Sequence, residues 1–223
     1  NRPIIECAWN QKPDLILASG DMLSGDREEG DAIAVALLSR LSDLAPVCFV
    51  NGNHEMCVER HQPERYQKFM DDLKNGGVQI LHNETACFWI DGEKVAVTGY
   101  ELPWEYYRRF SRRHPSVVGM ERSIGKRKQD AYQILLTHNP VFFEEYTAWG
   151  ADFTFAGHLH GGFIRLPYFG GVISPQFKLF PKYDRGLYQM DTSSMVVGAG
   201  MGNHSGLFRI NNPTEIVTVR IKR

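Results

Sequence analysis

The sequence predicts an α/β fold, on three observations. Four short runs, LILAS (15–19), VCFV (47–50), ILLT (134–137) and FTFA (153–156), are apolar or β-rich and too short for typical helices. Each of them ends in a cluster of Gly, Asn, Asp or His. Between the first two runs, apolar residues recur at helical intervals, which marks a crossover helix between strands.

The elements follow in order. NRPIIECAWNQKPDLILASGD reads as a helix-like piece running straight into the first strand. DREEGDAIAVALLSRLSDL spaces Ile33, Leu37, Leu41 and Leu44 at helical intervals, with Asp26 and Asp31 as first-turn acids that suit the helix dipole. Residues 59–74 are predicted as one helix with Tyr66, Phe69, Met70 and Leu73 on its apolar stripe and Asn75-Gly76-Gly77 as its stop. FWIDGEKVAVTGY (88–100) carries Asp-Gly between two β-rich pieces, a hairpin signal. Residues 157–186 read as a long ordered loop region, and EIVTVRIKR, with Val217, Val219 and Ile221 on one face, as a closing strand. Without repeats or linkers, residues 1–223 read as a single domain.

Composition narrows the function classes. The net charge of −1 rules out a global positive field, so a nucleic-acid scaffold role is not expected. One local exception runs from Arg108 to Lys128, with eight Lys or Arg against one Glu, beside Trp104, Tyr106, Tyr107 and Phe110. Such a segment could dock on an anionic membrane or clasp an anionic substrate, or be a helix with one solvated and one buried face. Cys7, Cys48, Cys57 and Cys87 form no C-x-x-C pair and are expected to be reduced thiols. No apolar stretch reaches the ~18 residues of a bilayer span, and a cytoplasmic or membrane-associated location is the expectation.

The chemistry lies in the residues directly after each strand. In α/β sheets ligands bind at the C-terminal strand edge. There the sequence places Gly20-Asp21, Gly52-Asn53-His54-Glu55, His138-Asn139-Pro140 and Gly157-His158-Leu159-His160. Imidazoles, a carboxylate and an amide oxygen make a mixed N/O set that suits Mn, Fe or Zn. A carboxylate can bridge two cations, an arrangement that fits displacement at phosphorus. Taken singly, His158 and His160 could be plain loop histidines and Asp21 a helix cap; four converging loops favour a metal site. Glu55 reads as a supporting acceptor that orients a histidine. Arg165 is a candidate for gripping a substrate phosphate, against a structural arginine. Gly202-Asn203-His204 repeats three of these letters but reads as a nearby loop, and His61, His82 and His114 as surface or helix residues.

In this order the residues resemble the calcineurin-like metallophosphoesterases, whose pattern is D-x-H, G-D, G-N-H-[D/E], a lone His and G-H-x-H, each after a strand. GHLHGGFIRLPYFGGVISPQFKLFPKYDRGLY followed by GLFRINNPTEI is similar to the bacterial branch that contains the YkuE-type phosphoesterases. The resemblance implies a four-layer αββα sandwich of two mixed sheets holding two divalent metal ions (Mn, Fe or Zn). It implies Asp21 as bridging carboxylate, Asn53, His138 and His158 on one metal, and His160 on the other. His54 would contact the phosphate and protonate the leaving oxygen. The implied reaction is attack of metal hydroxide on a phosphomonoester, phosphodiester or pyrophosphate, in a phosphorylated small molecule or a lipid-linked substrate. The Ser/Thr protein phosphatase branch fits less well, because GDMLSGD lacks the D-R-G that follows that branch's G-D. One element departs from the pattern, since no D-x-H precedes Gly20. The domain is therefore expected to lack an N-terminal D-x-H strand, the other reading being a weakened metal site. The alternative function is a metal-poor binding module that contacts protein or anionic membrane.

Overall fold

In the computed structural model, which describes residues 1–25, 28–108, 113–162, 165–166, 170–171, 180–202 and 210–222, the first part of the chain builds a small parallel sheet. Helix α1 (Arg2–Gln11) leads into β1 (Ile16–Ala18), followed by α2 (Glu29–Ser42), β2 (Val47–Phe49), α3 (Asn53–His61), α4 (Pro63–Asn75) and β3 (Gln79–Ile80). The strands lie side by side as β1-β2-β3, with Leu17 opposite Cys48 and Phe49 opposite Ile80. The returning helices α2 and α4 make this parallel order possible.

Two helices differ from expectation. The buried face of α2 is Ala34, Leu37, Leu38 and Leu41, while Ile33 is 59% exposed. At about 100° per residue, Ala34, Leu37, Leu38 and Leu41 form a stripe centred near Leu41, and Ile33 lies beyond its edge on the side away from Leu38. The single helix expected over 59–74 is broken at Gln62, whose φ of −140° is not helical, and Pro63 opens α4. Proline has no N–H for the turn before it, and its fixed φ suits a first helical position. The α4 stripe of Tyr66, Phe69, Met70 and Leu73 is buried as expected. Asp31 lies in the first turn of α2, where Arg65 grips both its oxygens at 2.6 and 2.8 Å, and Asp26 is outside the described residues.

The second part continues as β4 (Thr85–Ile90), β5 (Glu93–Tyr100), α5 (Val117–Ile124), β6 (Tyr132–Thr137), α6 (Phe143–Trp149), β7 (Phe153–Ala156), β8 (Arg165–Leu166), β9 (Gly170–Gly171), β10 (Gly186–Met190) and β11 (Ser193–Val197). Six of these strands form a mixed sheet in the order β10-β11-β7-β6-β5-β4, antiparallel at its two outer pairings and parallel within. β8 and β9 form a separate antiparallel pair. The expected hairpin joins β4 to β5 through Asp91 (φ 50°) and Gly92 (φ 81°), a two-residue turn with both φ values positive. The β10–β11 hairpin lies outside the sequence expectations.

Three packed seams fix the layers. Cys48 and Val50 meet Val97, Ile134 and Leu136 between the two sheets. Their strand neighbours point the other way: Phe49 packs with Leu37, Leu41, Phe69 and Leu73 under α2 and α4. Leu135 packs with Met120, Ile124 and Tyr146 under α5 and α6. Helices, sheet, sheet, helices is the four-layer αββα sandwich. Gly99 permits the close approach between its sheets, since a Cβ there would lie 2.3 Å from the Leu81 carbonyl oxygen and 2.8 Å from Val50 Cγ1.

The C-terminal expectation is corrected. Residues 215–222 form no strand, and Ile216, Val217 and Ile221 are 43%, 40% and 48% exposed. An alternating apolar face becomes a strand only where a neighbouring edge takes up its backbone hydrogen bonds. Among the described residues no helix is long and apolar enough to cross a membrane, and the four cysteines are free thiols.

Candidate metal centre

The rim is assembled loop by loop. After β1 the chain turns through Gly20 (φ 91°) into Asp21 (φ 58°), and after β2 it turns through Gly52 directly into α3, whose first residue is Asn53. These two turns touch. A Cβ on Gly20 would lie 2.3 Å from the Gly52 nitrogen, and one on Gly52 would lie 2.2 Å from Asp21 Oδ1. Glycine at both positions is what lets the carboxylate reach the second loop.

Glu55 locks the two turns together. Its fully buried carboxylate accepts the N–H groups of Gly52 (2.8 Å), Asp21 (2.8 Å), Met22 (2.5 Å) and Leu23 (2.7 Å). The role expected for it, orienting a histidine, is thus corrected: Glu55 orients backbone. As third residue of α3 it points back over the helix start, where unsatisfied N–H groups collect. Burial pushes its carboxyl up, as does the charge of Asp21, and the N–H groups of Leu23 and Gly52 oppose this.

Three side chains close on one point. His138, after β6, faces the Ser19 carbonyl with Nδ1 at 2.6 Å, so Nδ1–H donates there and Nε2 is turned toward the site. That Nε2 lies 3.0 Å from Asp21 Oδ2 and 3.1 Å from His158 Nδ1. The ligand atoms of Asp21, His138 and His158 all lie within 4.8 Å of one another. The other Asp21 oxygen, Oδ1, accepts the backbone N–H of His54 at 2.9 Å. Tyr107 covers the pair of imidazoles, its ring centroid 6.0 Å from that of His138 and 5.3 Å from that of His158. His158 (φ 67°) and His160 (φ 49°) join Asp21 in the left-handed region. Such backbone costs about 1–3 kcal/mol per residue and clusters at functional sites.

The electrostatics suit a cation. Burial disfavours a charge on Asp21, but the His138 imidazole, with His54 and His158, outweighs it and holds the carboxyl well below its usual range. For His138 burial works against protonation, and the Asp21 carboxylate reverses the balance and raises it. Burial, then His138, push His158 well below the usual imidazole value, which leaves its ring neutral at pH 7. His138 Nε2 and His158 Nδ1 lie 3.1 Å apart beside the Asp21 carboxylate, a spacing that a proton on one ring or a cation among the three groups accommodates. Asn53 Oδ1 is buried with no hydrogen-bond partner, an acceptor without a donor. A carboxylate, two imidazoles and an amide oxygen make the N/O donor set that a divalent transition metal takes. The residues present fit a metal.

The other predicted residues lie around this cluster. His54 is the second residue of α3, close enough for its charge to act on Asp21. His160 is outside the tight cluster of three but acts electrostatically on His158, and its ring lies beside Gly200. Arg165 pairs through its backbone with Gly171, and its side chain is outside the described residues, as are Asn203 and His204. His61 turns to the Cys57 carbonyl, His82 to Glu101 and His114 to Glu145, none of them in the cluster. In the basic segment, where 109–112 are outside the described residues, α5 buries Met120 and Ile124 and Tyr107 faces inward. No local pattern marks Tyr107 as part of the site.

Known proteins resemble this chain. The family model described as calcineurin-like phosphoesterase matches residues 3–162. The metallophosphoesterase YkuE of Bacillus subtilis is 24% identical over 213 residues, covering 95% of this chain and 68% of that one. The phosphodiesterase YaeI of Escherichia coli is 25% identical over 211 residues, covering 95% and 71%. Among solved structures, the Haemophilus influenzae NAD nucleotidase NadN matches with a TM-score of 0.53 at 17% identity, a likeness of fold. That match covers 87% of this chain and 42% of NadN, so the chain spans less than half of that protein.

Proposed function

The chain belongs to the calcineurin-like phosphoesterases, and on that premise we propose that it hydrolyses a phosphoester or pyrophosphate bond of a phosphorylated small molecule, using two divalent cations. The observation that carries this reading is the gathering of Asp21, His138 and His158 within 4.8 Å. The unpartnered Asn53 Oδ1 supports it. Bound there, divalent cations supply Lewis acidity toward phosphoryl oxygens and lower the pKa of water.

The chain's own residues divide the work. Asn53, His138 and His158 would hold one ion, His160 would help to hold the second, and the Asp21 carboxylate would serve both. No D-x-H occurs in the 223 residues, so Asp21 and His160 are the residues of this chain assigned to the second ion. The Ser19 carbonyl fixes the His138 tautomer, and Glu55 fixes the turn that carries Asp21. His54, with its backbone tied to Asp21 Oδ1, presents its imidazole as proton donor to the leaving oxygen. Arg165 is proposed to meet a substrate phosphate.

A phosphodiester is the substrate to try, since YaeI is by name a phosphodiesterase. The purified protein should hydrolyse bis(p-nitrophenyl) phosphate with Mn2+, lose that activity in EDTA and regain it when Mn2+ is returned. A folded protein that neither binds Mn2+ nor turns over would leave the binding-module alternative standing.

A further inference from the structure

We propose that Asn212 is a positioning residue that holds His160 in place, as part of a clasp made with Arg185 and Glu215. The inference rests on the proposed function only in taking His160 as a metal ligand.

Asn212 is 2% exposed and reaches back across 52 positions to the GHLHGG loop. Its Nδ2 donates to the His160 carbonyl at 2.5 Å and to the Gly162 carbonyl at 2.7 Å. Its Oδ1 faces Arg185 Nη1 at 3.4 Å. Arg185 also pairs with the Glu215 carboxylate, whose Oε1 accepts the Ala199 N–H at 2.8 Å. The Glu215 N–H in turn donates to the Gly200 carbonyl at 3.3 Å, and a Cβ on Gly200 would lie 3.7 Å from His160 Nδ1. The clasp thus binds the His160 backbone on one side and borders its ring on the other.

A carboxamide is the group this position needs. One nitrogen with two N–H groups satisfies both carbonyls flanking Gly161, and the oxygen remains to accept from arginine. His160 has φ 49°, a conformation that persists only where surrounding contacts impose it. Backbone carbonyls in such a turn otherwise need water. The opposite side of the loop is buttressed too: Asp184 Oδ2 accepts the Gly171 N–H at 2.6 Å, and a Cβ on Gly171 would lie 2.7 Å from the Gly161 oxygen. The KYDRG and NNPTE stretches, which the metal chemistry leaves unused, therefore shape the loop that aims His160. Partners of a metal-bound histidine set its orientation and hence the metal affinity.

Calorimetric Mn2+ titration of metal-free wild type, Asn212→Ala, His160→Ala and the double variant tests this. Asn212→Ala should weaken one class of Mn2+ site by about ten- to a hundredfold. His160→Ala should weaken the same class at least as much, and the double variant no further, because both changes act through one ligand. Unchanged Mn2+ affinity in Asn212→Ala, or losses that simply add in the double variant, would overturn the proposal. If Asn212→Ala does not fold by far-UV circular dichroism, Glu215→Gln leaves Asn212 intact and loosens its anchor; a several-fold weaker site is expected and an unchanged one refutes the clasp. A wild type that binds no Mn2+ brings down the metal reading itself, and the clasp with it, a result distinct from failure of the variants alone.

Discussion

Asp21→Asn is expected to abolish Mn2+-dependent phosphodiester hydrolysis, with kcat falling by more than about a hundredfold, beyond the usual effect of changing a ligand's hydrogen-bond partner. The substitution separates charge from shape. Asparagine adopts the left-handed backbone of position 21 (φ 58°) as readily as aspartate. Its side-chain oxygen can still accept the His54 N–H, and the Glu55 bonds to the backbone of residues 21–23 involve no side-chain charge. The negative charge beside His138 and His158, which the proposed function assigns to a cation, is lost. Thermal unfolding of the metal-free variant close to wild type, together with lost turnover and weakened Mn2+ binding, is the expected result. Turnover within a few-fold of wild type would mean that the Asp21 charge is not part of the chemistry.

The second large effect concerns the support beneath the G-H-x-H loop. Phe143 is fully buried and packs with Ala156, Tyr183, Met195 and Val197, beneath the strands β7 and β11. Its ring centroid is 5.8 Å from that of Tyr183, edge to face. Phe143→Ala removes a ring whose space neighbouring strands cannot collapse to fill, at a cost of about 3–5 kcal/mol. That is a large share of the ~5–15 kcal/mol of net stability that folded proteins have. At about 2–4 °C per kcal/mol for a chain of this size, Tm should fall by roughly 6–20 °C. Since β7 delivers Gly157 and His158, the loss should also weaken Mn2+ binding below the melting range. A Tm shift under about 2 °C in differential scanning calorimetry would contradict the packing described.

Where the sequence is read correctly, the signal is local. A buried strand is a short apolar run, and a polar cluster directly after it has only one place to go, the sheet's C-terminal edge. The placement of Asp21, Asn53, His138 and His158 directly after strands is legible for that reason, and the Asp91-Gly92 turn for a similar one. Where the reading fails, the deciding partner is distant or the rule finer than a pattern. Ile33 and Ala34 differ by one helical step, and only packing says which is buried. Pro63 is compatible with both an ending and a beginning. The closing strand of 215–223 has the alternation of a strand, but the alternation does not supply an edge to pair with. Glu55 is visible as a carboxylate in the G-N-H-E run, yet its partners, the N–H groups of residues 21–23, lie 32 to 34 positions away. His138 and Ser19 are separated by 119 positions, so the bond that orients the imidazole is written nowhere locally. Tyr107 and Asn212 are likewise defined by what the folded chain brings to them.

The most direct test is a crystal structure of the protein grown with Mn2+, with anomalous scattering used to locate the ions. The account predicts a manganese peak within coordinating distance of one Asp21 carboxylate oxygen, Asn53 Oδ1, His138 Nε2 and the His158 ring, with His138 Nδ1–H still donated to the Ser19 carbonyl. Manganese bound elsewhere, or a saturated crystal in which Asp21, His138 and His158 carry no ion, would contradict it.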